Sequence, residues 1–137
     1  MVTIEQKLLE KPRLMKFQLM FGGHRAVMDR YKAYFLVPLG AIRELGESGW
    51  EFFSEERISR GLVDSLMDGL GLSKLSTEMG MDRFSGVSAD AVVFLDDMGE
   101  IEHVYFRGHG GRNVGLELKE LLKGVSDLGV EVFEPNL

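Results

Sequence analysis

The sequence contains no cysteine, so it offers no disulfide framework, no thiolate metal site and no cysteine nucleophile, and the enzyme classes built on those groups are excluded. No apolar run reaches the roughly 20 residues that a membrane-spanning helix needs. The first ten residues, Met1 to Glu10, mix acids with apolar residues where a signal peptide would carry an unbroken apolar core. Together these absences set the expectation of a cytoplasmic protein without a membrane partner. Glutamine and asparagine are scarce, at Gln6, Gln18, Asn113 and Asn136, a depletion that leans toward heat adaptation, although eight methionines lean the other way. Also missing are a P-loop, a G-x-G-x-x-G turn after a strand, an H-E-x-x-H helix and a G-x-S-x-G elbow, which leaves nucleotide-binding and hydrolase readings without a motif.

What is present is an ordinary globular composition. The chain has 137 residues, 45% hydrophobic and 28% charged, enough to bury one core and short for two, so one domain over 1–137 is expected. The net charge of −6 is unevenly spread: residues 1–46 carry 8 Lys+Arg against 4 Asp+Glu, and residues 47–137 carry 8 against 18. In so acidic a chain, a basic segment fits a face that complements an acidic one better than it fits a nucleic-acid footprint.

Hydrophobic periodicity sets out the elements. Thr3 caps a lead-in helix that Pro12 ends, and the alternation Met15, Phe17, Leu19, Phe21 reads as a strand over Arg13 to Phe21. A second strand is expected over Tyr31–Val37. Pro38 then opens a short helix through Leu39–Leu45, and Trp50, Phe52 and Phe53 plug one edge of the core. Ser54, followed by Glu55 and Glu56, reads as the N-cap of a helix that buries Ile58, Leu62, Val63, Leu66 and Leu70. Residues 71–90 read as connection, with one helical turn around Leu75 to Met79. The strongest local pattern is a hairpin, Ala91 to Leu95 and Glu100 to Phe106, around the turn Asp96-Asp97-Met98-Gly99. A helix from about Asn113, burying Leu116, Leu118, Leu121, Leu122 and Val125 and ending near Asp127-Leu128-Gly129, and a last strand Val130 to Phe133 complete an α+β domain: a small mixed or largely antiparallel sheet of four to five strands covered by about three helices.

Two short loops carry the candidate chemistry. Phe21-Gly-Gly-His24-Arg25 and Phe106-Arg107-Gly-His109-Gly-Gly-Arg112 each leave the end of a predicted strand. Adjacent glycines turn backbone N–H groups toward one point, a following helix N-terminus adds partial positive charge, and arginine presents a fork that matches carboxylate or phosphate. The function expected is therefore binding of a small anionic molecule by His24, Arg25, Arg107, His109 and Arg112. If a reaction follows, His109 is the acid/base. The cofactor is left open, and the three histidines, His24, His103 and His109, match no tight metal spacing. His103 sits in the hairpin in phase with Ile101 and Tyr105, as a partly buried residue.

The alternative is a homodimeric interaction module in which these loops are structural, because Val92 to Leu95 is apolar on both faces and needs cover on each. A third reading, winged-helix DNA binding, follows the order helix 54–70, Leu72 to Gly80, hairpin. It is disfavoured because Met81 to Ala89, the would-be recognition segment, has one basic residue, Arg83, and the would-be wing has four acids, Asp96, Asp97, Glu100 and Glu102.

Overall fold

The computed structural model describes residues 33–123 and 129–135. The expected lead-in helix and first strand, and the loop bearing His24 and Arg25, lie outside them. Among the described residues the architecture is mostly sheet. Eight strands run β1 (Ala33–Pro38), β2 (Ile42–Gly46), β3 (Gly49–Phe53), β4 (Ser73–Glu78), β5 (Met81–Ser85), β6 (Ala89–Leu95), β7 (Ile101–Gly108) and β8 (Val130–Phe133). Two helices, α1 (Arg60–Leu70) and α2 (Val114–Leu122), interrupt them. Six strands form one antiparallel sheet in the order β4-β5-β6-β7-β1-β8, and β2 and β3 form a separate hairpin. This corrects the expected α+β domain of four to five strands under about three helices: the sheet is larger, and only two short helices accompany it among the described residues.

The differences have local causes. Leu39–Leu45, expected as a helix, enters β2 because Pro38-Leu39-Gly40-Ala41 closes a turn, with Gly40 at φ 79° and Ala41 N–H donating to Pro38 O (3.0 Å). Ser54 does not cap α1. Its Oγ accepts from Glu56 N–H (3.0 Å) and so closes a turn of its own. Ile58 bridges to Ile101, and the helix starts only after Ser59, whose Oγ accepts from Leu62 N–H (3.3 Å). Residues 71–90 are not connection. They hold β4, β5 and the first residues of β6, joined by the turn Met79-Gly80, where both residues have positive φ (46° and 77°), as the hairpin turn whose twist suits antiparallel strands requires. The segments proposed for a helix-turn-helix, Leu72 to Gly80 and Met81 to Ala89, are therefore largely strand.

The hairpin read from sequence is the centre of the sheet. Its register sets Val92 opposite Tyr105 and Val93 opposite Val104, so alternate residues serve two cores. On one face Leu36, Ala91, Val93, Val104 and Phe106 pack under α1 and α2, which bury Val63, Leu66, Met67 and Leu70, and Val114 and Leu118. On the other face Phe35, Val92, Phe94 and Tyr105 cluster with Phe52 of β3, whose ring lies 4.9 Å from that of Phe35. Phe52 thus covers the sheet, in keeping with its expected place in the core. A bulge between Phe94 and Leu95 shifts the phase of β7. Ile101 joins the helix-side core, while His103 faces the other way, buried and stacked 4.5 Å from Phe94. The expected common phase of Ile101 and His103 is thereby broken.

Helix α2 and strand β8 occur in the expected part of the chain, but the helix turns a different face to the core: it buries Val114 and Leu118, while Leu116 and Leu121, expected inside, are 56% and 40% exposed. Val125 and the expected helix end near 127–128 lie outside the described residues. Asn113 caps α2, its Oδ1 accepting from Leu116 N–H (3.0 Å). The helix lies close to the sheet because Gly115 has no side chain: a Cβ there would come within 2.1 Å of the Tyr34 ring.

Candidate functional site

The loop from Arg107 to Arg112 leaves β7 and enters α2 across a turn built on Gly110 and Gly111, both with positive φ (60° and 84°), which a side chain would strain. It is pinned to the neighbouring turn by its own backbone, His109 N–H donating to Ser88 O (2.9 Å). The three candidate side chains in it point to two different carboxylates.

Arg107 is the last side chain of β7 on the face away from the helices, opposite Asp90 in the register. It is buried, at 3% exposure, and its NH2 group bonds Asp90 Oδ2 at 2.9 Å. His109 Nε2 lies 2.6 Å from the same oxygen, and Ser85 Oγ donates to Oδ1 at 3.1 Å. Asp90, on β6, therefore gathers three partners: one from each flanking strand, β5 and β7, and one from the loop beyond β7. Burial opposes its ionisation, but the hydrogen bonds from Arg107, His109 and Ser85 outweigh that cost and hold its pKa below the usual carboxylate range. The order of contacts matters for chemistry. The serine bonds the aspartate and the histidine bonds the same aspartate, so this is not the relay in which a histidine activates a serine. What the geometry provides is an orientation of the His109 ring by Asp90.

Arg112 serves another carboxylate. Its Nε and NH2 groups bond the two oxygens of Glu117 at 2.7 and 2.9 Å, a bidentate pair. NH2 also donates to Leu70 O, the last residue of α1, at 2.7 Å, and NH1 reaches Ser88 Oγ at 3.3 Å. One guanidinium thus ties the end of α1, the β5–β6 turn and the first turn of α2, and places positive charge at a helix C-terminus, where it is favourable. The hydrogen bonds from Arg112 outweigh burial and lower the Glu117 pKa. The same contacts raise that of Arg112.

Arg107, His109 and Arg112 are thus together in one loop region, and the two arginines are held by acids that sequence reasoning did not name. Asp90 and Glu117 were legible in principle. Asp90 is the acid inside an otherwise apolar strand, and Glu117 stands five residues after Arg112 in the first turn of its helix. Of the acids at the β6–β7 turn, Asp96 closes the turn, accepting from Met98 N–H and Glu100 N–H at 2.8 and 2.9 Å, and also accepts from Arg57 Nε at 2.8 Å. Among the described residues no group of three or more His, Asp or Glu is arranged to hold a metal ion, and no helix is long and apolar enough to cross a membrane. No protein-family model matches this chain, and neither a curated protein nor a solved structure matches it.

Proposed function

We propose that this chain is an interaction module that associates with a second copy of itself, and that the loop from Arg107 to Arg112 is a joint of its fold. The observation that carries this reading is apolar exposure on and beside one edge strand. Leu39, Ile42 and Leu45 are 65%, 51% and 65% exposed within seven residues of chain. The backbone of strand β2 pairs only with β3 among the described residues, which leaves its outer edge without a ladder partner there, although its Arg43 side chain donates to Glu131 of β8. Such an edge offers backbone donors and acceptors to another strand. Burying side chains of this size is worth about 1.5–3 kcal/mol each before the entropy of association is subtracted. Light scattering on the eluting protein over a range of concentrations tests the reading. A dimer is expected, and an Ile42→Asp, Leu45→Asp double variant should run as a monomer with an unchanged circular-dichroism spectrum. A wild-type protein that is monomeric at every concentration overturns it.

One feature favours a second reading, binding of a small phosphate- or carboxylate-bearing molecule. The His109 side chain is 36% exposed and neighbours the exposed Gly110 and Gly111. Under this reading His109 is the contact, and the acid/base if a reaction follows. Inorganic phosphate or citrate should then raise the melting temperature of the wild type and leave that of His109→Ala unchanged. Equal shifts in both proteins count against it.

A further inference from the structure

No further inference is drawn: the strongest candidate, the Ser85–Asp90–Arg107–His109 side-chain cluster where β5 and β7 end and β6 begins beside the glycine loop, belongs to the site already described.

Discussion

The β6–β7 and β4–β5 hairpins adjoin in one sheet, and each holds an acid paired with a cationic side chain, but with the burial inverted. In the central hairpin the cation is the buried member: the Arg107 side chain is 3% exposed and that of Asp90 20%. In the edge hairpin the acid is buried. The Asp82 side chain is 3% exposed, accepts from Thr77 Oγ1 at 2.8 Å, and has Arg60 and Lys74, each 51% exposed, at 3.6 Å. A central strand packs on both faces, so a charge there must be enclosed with its partner. An edge strand lets long cationic side chains reach in from solvent and keep their heads wet. The central pair should thus matter more to stability than the edge pair.

The largest expected effect comes from a charge inserted at the centre. Val93 is almost wholly buried, and Val93→Asp would leave an unpaired carboxylate in the helix-side core, at a cost of several kcal/mol. Circular dichroism should show an unfolded or aggregated protein. The matched change at the edge, Leu75→Asp at the exposed bulge of β4, should move stability by about 0.5 kcal/mol or less. Equal losses at both positions would break the contrast between centre and edge.

Removing the cations sharpens it. Arg107→Ala leaves Asp90 with His109 and Ser85 in a partly buried setting and should cost about 2–3 kcal/mol in urea unfolding, somewhat below the loss for a fully buried pair. Lys74→Ala should cost about 0.5 kcal/mol, because Lys74 is half exposed and Asp82 keeps Thr77 and Arg60.

The same comparison carries a pH signature. The folded-state pKa of Asp90 is lowered, so its contribution is fully present above the unfolded carboxylate pKa and is lost as pH falls through the folded value. Stability should decline on acidification below the ordinary carboxylate range, and Asp90→Asn should flatten part of that decline. An unaltered pH profile in the variant would mean that Asp90 does not carry the effect.

These contrasts also explain what could be read from the sequence. The β6–β7 hairpin and β8 were legible because their apolar residues recur at strand period, and the start of α2 because Asn113 is a strong cap; the inward face of α2 was not, since its leucines fall on both sides and Leu116 and Leu121 are exposed. The edge hairpin was hidden. Residues 73–78 are Ser-Lys-Leu-Ser-Thr-Glu, mostly exposed, and the turn is Met-Gly where Asn-Gly would have announced it. Strand β2 was hidden for a like reason: Ile-Arg-Glu-Leu fits a helix as well as an exposed strand. At the site, the residue types and their nearness within one loop were legible. Their orientation was not, because that depends on Asp90, opposite Arg107 across the hairpin, and on Leu70 O, 42 residues from Arg112.

The central claim is that the loop arginines close the fold. Urea unfolding of Arg112→Ala, Glu117→Gln and the double variant, each with and without inorganic phosphate, tests it most directly. The account predicts a loss of about 1–2 kcal/mol in each single variant, a double variant no worse than their sum less about 1 kcal/mol of coupling, and no dependence on phosphate. An Arg112→Ala protein as stable as the wild type, yet deprived of a phosphate-induced stabilisation that the wild type shows, would contradict it and make Arg112 a ligand contact.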